Sequence, residues 1–287
     1  MANDKYSAVW VSNTAIRNLK CPRAYYLLHL YKDEKTGRKV NIINPQMALG
    51  QAVHNALDKI SNLKVEERFR IPLTTYYEEA WRKVSGTRGG FKNAEQEEEY
   101  KQRGLKMIKR IMNNLGPLLN PALRLNLLDK DFDLPYYWFS EEENIILCGQ
   151  VDWLEYLPGG DGVHIIDFKT GVNDEKSDSV QLPIYCLLVS NLQQRKVKKV
   201  SYWYLERDDK PMEVELPDFE NARDMILHLA RQIKNLRESG QFHCPKGGCF
   251  SCKPLEAIPR GEAKIVGVSG NKDVYVLPEE IAMVEGE

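Results

Sequence analysis

The sequence contains no apolar run near the ~20 residues that a helix needs to span a bilayer, so nothing in it reads as a transmembrane segment. Its opening, MANDKYSAVWVSN, lacks the basic and then apolar pattern of a secretory signal, and the expectation is a cytoplasmic protein. Neither charge is in excess: 40 Lys plus Arg stand against 41 Asp plus Glu, a net charge of −1. A uniformly basic coat is thereby excluded, and a nucleic-acid partner has to be held by a local patch or channel. No internal repeat or low-complexity tract interrupts the chain. Cysteine is scarce, with six in 287 residues, yet three of them crowd into CPKGGCFSC at 244–252. In a reducing compartment, clustered cysteines more often mean metal than disulfide. A chain of this length buries a core without metal.

What is present is an ordinary globular composition, 43% hydrophobic and 28% charged, that changes texture along its length. VSNTAIRNLKCPRAYYLLHLYK (11–32) predicts a helix capped by Ser12 or Asn13 and broken near Cys21 by Pro22. NPQMALGQAVHNALDKI (44–60) predicts a second helix with Val53, Ala56, Leu57 and Ile60 as its apolar stripe. Residues 61–128 are charge-rich and helical in pattern, an expected helical insertion. From 131, DLPYYWFS, NIILCGQVDWLEYL and GVHIIDFK predict short strands in a meander. A helix over 177–193 tolerates Pro183 only if it starts near Ser179. A strand KVSYWYLER with PMEVELP as its partner follows, then a long helix ending at Gly240. The order α, α, ββ(β), α, ββ, α predicts a mixed α/β domain.

Chemistry concentrates where the strands end. Asp152 in GQVDWLEYL and Asp167 in HIIDFKTG fall near the ends of neighbouring predicted strands, and Lys169 shares a face with Asp167 by the period of two. Two carboxylates and an ammonium at a sheet edge suit metal-assisted phosphodiester hydrolysis with Mg²⁺ or Mn²⁺. A D-x-K at a strand end is commonly a solvated pair, but here the charges leave the apolar run VHII. His54, beside the stripe of Val53 and Leu57, reads as a packed histidine unless its helix faces the carboxylates. Gln181 and Tyr185, at i and i+4, share one helical face.

Taken in order, GQAVHNAL, GQVDWLEY, IIDFKTG and QLPIYCLL, with one cysteine upstream and three downstream, resemble the RecB-family branch of the PD-(D/E)XK nucleases. Within it the chain looks most like the iron–sulfur members, the AddB nuclease domain and the small CRISPR-associated nucleases. The resemblance covers residues 11–254 and implies a restriction-endonuclease-like fold, a mixed central β-sheet flanked by helices. It implies a nuclease domain over 1–254, with 61–128 as insertion and 255–287 as a C-terminal extension. It also implies roles: His54, Asp152 and Asp167 as ligands of Mg²⁺ or Mn²⁺, completed by the backbone carbonyl of Phe168, with Lys169, Gln181 and Tyr185 as the catalytic partners of the two aspartates. Pro183, between the glutamine and the tyrosine, departs from the family's usual helix and bears on where Tyr185 sits. The insertion and the tail are also longer than in the compact CRISPR-associated type.

Cys244, Cys249 and Cys252 have C-x4-C-x2-C spacing and are one ligand short of a closed four-ligand site. Cys148 and Cys186 lie inside apolar runs, where a free cysteine behaves as a small hydrophobe. Cys21 stands at the expected helix break, and the iron–sulfur nucleases likewise take one cysteine before the nuclease core and three after it. Spacing alone favours zinc; the resemblance favours [4Fe–4S] on Cys21, Cys244, Cys249 and Cys252, with His243 as a substitute ligand. The basic run QQRKVKK before the aromatic strand VSYWYLER reads either as a single-strand contact or as a solvated loop leading into a core strand. KQRGLKMIKRI, within the insertion, could roof a strand channel.

The expected activity is a metal-dependent DNA exonuclease acting on single strands or DNA ends, in DNA repair or CRISPR adaptation, with a helicase or a CRISPR integrase as a possible protein partner and no membrane. Two alternatives stand beside it: a non-catalytic DNA-binding subunit of a larger repair or CRISPR complex, and a zinc-stabilised nuclease without iron.

Overall fold

A computed structural model describes residues 4–125, 132 and 134–278. The sequence readings at 126–128, at Asp133 and at 279–287 lie outside the described residues. The chain enters through a short strand that periodicity does not reveal, β1 (Val9–Val11). Ser12 then accepts the Ala15 N–H and caps α1 (Asn13–Asn18), as predicted. The expected break is real: Cys21 is extended and precedes α2 (Pro22–Tyr25), which runs into a π-helical turn at Tyr26–Leu30. Pro22 sits in the first turn of α2, where its missing N–H leaves no bond unmade.

A second unforeseen strand, β2 (Lys39–Ile42), leads to α3 (Pro45–Ser61), capped by the Asn44 side chain. The predicted stripe of Val53, Ala56, Leu57 and Ile60 is 0–1% exposed, worth roughly 1.5–3 kcal/mol for each larger side chain. The segment that follows is helical as expected, with α4 (Leu73–Val84), α5 (Ala94–Asn113) and short 3-10 turns between and after them. Gly104 lets α5 approach α4 closely, because a Cβ there would collide with the Tyr77 hydroxyl.

The strands that follow are β3 (Tyr136–Ser140), β4 (Ile145–Cys148), β5 (Trp153–Tyr156) and β6 (Gly162–Lys169). They do not form the single meander expected from sequence. β3 and β4 pair with each other and with β1, whereas β5 and β6 begin a different sheet. The outer edge of β5 is taken instead by residues 121–123: Leu123 N–H donates to the Leu154 carbonyl and Tyr156 N–H to that of Pro121. The chain therefore changes sheet over 149–152, which leaves Asp152 at the junction.

α6 (Gln181–Leu192) places Pro183 in its first turn and crosses over to β7 (Lys196–Tyr204), parallel to β6. β8 (Met212–Val214) pairs antiparallel with β7, and α7 (Phe219–Ser239) stops at Gly240 in the left-handed conformation, φ 66°. The sheet order is β5-β6-β7-β8. One face of it, with Leu154, Ile165 and Val200, packs under α6 and α7 together with β1 and β4. The other, with Trp153, Ile166, Phe168 and Trp203, packs on α3, α4 and α5. This is a mixed central sheet flanked by helices, the restriction-endonuclease-like arrangement. The chain ends in a hairpin of β9 (Lys264–Ser269) and β10 (Lys272–Val276), and β10 pairs in parallel with β2.

Candidate active site

Antiparallel pairing sets Trp153 opposite Ile166, so the residues just beyond, Asp152 and Asp167, come together at one end of the strand pair. Asp167 and Lys169 lie on the face that meets α6. Gln181, at the first position of α6, donates to Asp167 Oδ1 at 2.6 Å and to the Tyr185 hydroxyl at 3.1 Å. Lys169 Nζ donates to Gln181 Oε1 at 2.7 Å and stands 2.9 Å from Asp167 Oδ2. Pro183 thus leaves Tyr185 in the cluster. From the opposite side α3 brings His54, whose Nδ1 is 3.2 Å from Asp152 Oδ1. Phe168 enters through its backbone, its N–H donating to Asp152 Oδ2 at 3.0 Å. All six side chains singled out from sequence, and the Phe168 backbone, meet here.

The charges are strained against one another. Burial and the facing charge of Asp152 push the Asp167 carboxyl up to about 7, although Lys169 opposes them. Burial also works against ionisation of Asp152, but the imidazole of His54 outweighs it and holds Asp152 below the usual range. His54 is raised in return: burial disfavours its charge, and the attraction of Asp152 wins. Asp167 Oδ2 is buried and accepts no hydrogen bond, the nearby ammonium notwithstanding. Two facing carboxylates beside an imidazole are a hard, oxygen-rich donor set that fits Mg²⁺ or Mn²⁺. Their ligand atoms are less tightly gathered than those of the cysteines described next.

Cys21, Cys244, Cys249 and Cys252 bring their sulfurs within 4.8 Å of one another, joining the start of α2 to the segment after α7. Burial disfavours the Cys249 thiolate, but the backbone N–H groups of Cys252 and Ser251 prevail and lower it to about 6. Burial pushes the Cys21 thiol up to about 12. A soft four-sulfur set of this kind fits zinc or an iron–sulfur cluster. His243 is not part of the group. Cys148 and Cys186 are buried apart from it, as their apolar runs imply, and burial raises both thiols to about 12.

Sequence reasoning missed Glu175, whose Oε2 lies 2.6 Å from Lys169 Nζ. Its only signal was an acidic position in the loop between Lys169 and α6. Also missed was a buried chain on the other face of the sheet. There, His164 Nδ1 pairs with Glu155 Oε1 and His164 Nε2 with Ser201 Oγ, both at 2.8 Å. The run QQRKVKK follows the reading of a loop leading into a core strand. Lys198 pairs with Asp161 and Lys199 with Glu213, while Tyr202, Trp203 and Tyr204 are buried. In α5, Lys101, Arg103 and Arg110 pair with Glu78, Glu206 and Asp209. No helix among the described residues is long and apolar enough to cross a membrane.

No curated protein matches the chain. The model of the PD-(D/E)XK nuclease superfamily matches residues 11–254, a span that holds both aspartates, Lys169 and all four clustered cysteines. By that match, over most of its length, the chain belongs to the PD-(D/E)XK nuclease superfamily.

Proposed function

We propose that this protein is a metal-dependent deoxyribonuclease that degrades single-stranded DNA or DNA ends as an exonuclease. The observation that carries the reading is the ring of contacts joining Asp167, Lys169 and Gln181 beside the His54–Asp152 pair. Asp152, Asp167 and His54, with the Phe168 carbonyl, would hold Mg²⁺ or Mn²⁺. Such an ion, when bound, polarises a phosphate and lowers the pKa of water. Lys169 neutralises charge at the scissile phosphate and orients the attacking water. Gln181 and Tyr185 position the phosphate by hydrogen bonds. The nuclease domain is read as 1–254, with 61–128 inserted and 255–287 appended. If Asp167→Ala or Lys169→Ala leaves Mn²⁺-dependent degradation of single-stranded DNA intact, the assignment falls. Tight binding of single strands without cutting, under either ion, would leave only a DNA-gripping subunit of a repair or CRISPR complex.

For the cysteines we propose a structural [4Fe–4S] cluster. Its support is the placement of one ligand before the nuclease core and three after it, on a loop where Gly247 and Gly248 have positive φ. Zinc is the second reading, favoured by the sulfur spacing: Cys249 and Cys252 sulfurs are 3.7 Å apart, close to the edge of a tetrahedron with Zn–S bonds of about 2.3 Å. Iron and zinc analysis of anaerobically purified protein, with its visible spectrum, decides between them.

A further inference from the structure

The charges of the described chain are not evenly spent. Several cations have acidic partners, in α5, in β7 and at the cysteine segment, where Arg23 binds Glu256 through two hydrogen bonds. Others do not, and three of these are neighbours across strands. Lys32 bridges to Lys39 across an antiparallel contact, and Lys39 is in turn in register with Lys272 of β10. Three lysines therefore stand side by side on three adjacent chain segments. Arg237, in the last turn of α7, brings a fourth charge to the same place: its field, with those of Lys32 and Lys272, disfavours the ammonium of Lys39 after burial has done so. Among the described residues none of the four forms an ion pair. Two of the acids nearby are engaged elsewhere. Asp33 accepts from the Tyr275 hydroxyl and from the backbone of Lys35 and Thr36, and the buried Asp273 holds Arg38 and Thr36.

Like charges directly opposite one another on neighbouring strands destabilise a sheet. A row of three without an ion pair of its own suits a ligand with repeated negative charge.

We propose that Lys32, Lys39 and Lys272 form a phosphate-backbone track that holds a DNA single strand. This rests on the nuclease reading above and gives the hairpin of β9 and β10 a task, since Lys272 lies beyond the residues matched by the superfamily. The track reads charge and not sequence, because lysine reaches phosphates without the planar fork that selects bases.

The test measures binding of a fluorescent oligothymidylate to the metal- or cluster-loaded protein, without added Mg²⁺ or Mn²⁺, across a range of salt. The K32A/K39A/K272A variant should bind at least about tenfold more weakly at low salt, and its log–log salt slope should be shallower by about 2, at about 0.7 per lost phosphate contact. The charge-keeping K32R/K39R/K272R variant should retain wild-type affinity, and Tm of the alanine variant should hold or rise as repulsion is relieved. Should the triple variant fail to fold, the single Lys272→Glu, at an exposed position, is measured instead. Unchanged affinity and slope, or a wild-type protein that does not bind the oligonucleotide at low salt, would overturn the track. Hydrolysis of bis(p-nitrophenyl) phosphate with Mn²⁺ separates this from the nuclease reading. Variant and wild type should hydrolyse it equally, because it is too small to use the track. A wild type inert toward both it and DNA would remove the nuclease reading, while the binding comparison still decides the track.

Discussion

The strand pair β5–β6 carries two buried polar clusters that differ in one respect, whether their groups are satisfied. Toward one end and one face, Glu155, His164 and Ser201 form a closed line in which both ring nitrogens of His164 are engaged. Asn120 donates to the second oxygen of Glu155, at 3.0 Å, and Arg68 donates to the carbonyls of Leu118 and Asn120. Toward the other end and face, Asp152 and Asp167 repel each other, and an oxygen of Asp167 is left without a hydrogen bond. The first cluster ties the segment that carries Arg68 and Asn120 to the sheet. The second holds two facing carboxylates that Lys169 and His54 offset only in part, since the Asp167 carboxyl stays raised. A serine–histidine–glutamate line resembles a catalytic triad on paper, but Ser201 is 0% exposed. Unmet demand, not polarity itself, distinguishes the candidate site.

The largest effect that would break this comparison is on turnover. Lys169→Ala should lower Mn²⁺-dependent cleavage of single-stranded DNA by about 100- to 1000-fold, the usual cost of losing one electrostatic group at a developing charge, with Tm little changed. In the closed cluster the signs should reverse. His164→Ala leaves Glu155 Oε1 and Ser201 Oγ buried without their partner, which costs about 1–3 kcal/mol in denaturant unfolding, while the protein that remains folded should keep its wild-type rate.

The cysteines extend the contrast. Cys21→Ala or Cys249→Ala should lose the bound metal and lower Tm by roughly 10 °C or more, because the site joins segments far apart in sequence. Cys148→Ala and Cys186→Ala should leave metal content unchanged, as metal analysis with a thermal melt will show. The smallest effect concerns His29. Burial and the charges of Lys272, Lys39 and Arg237 lower its pKa from 6.5 to about 4, so folding favours the neutral ring. Its share of stability is whole above about pH 6.5 and drains as the pH falls toward 4, by up to about 3 kcal/mol. His29→Gln should flatten that part of the stability-versus-pH curve. His54, which faces a carboxylate instead of lysines, is shifted the opposite way.

Much of this was legible in the sequence because it rests on local rules. Ser12 as a cap, the break at Pro22, the stripe of α3 and the stop at Gly240 each follow from residues a few positions apart. Within the candidate site, strand alternation pairs Asp167 with Lys169 and helical spacing pairs Gln181 with Tyr185, whereas His54 entered the set only through the resemblance. The strands β1 and β2 were not legible. Each is three or four residues long, and each is defined by a parallel partner, β4 or β10, more than 130 positions away. The division of the expected meander was hidden for the same reason, since the edge of β5 is filled by residues 121–123. Glu175 gave only a loop carboxylate, and its meaning depends on where Lys169 turns. The lysine row depends on strand register, which no local pattern encodes.

The central claim is that Asp152 and Asp167 together demand a divalent cation. Mn²⁺ binding followed by electron paramagnetic resonance, with DNA absent, tests it most directly. The wild type should take up one tightly held ion beyond whatever the cysteines carry, and Asp167→Asn should lose it while folding as stably or more so, since it removes one of two facing charges. Equal Mn²⁺ uptake by both proteins would contradict the account.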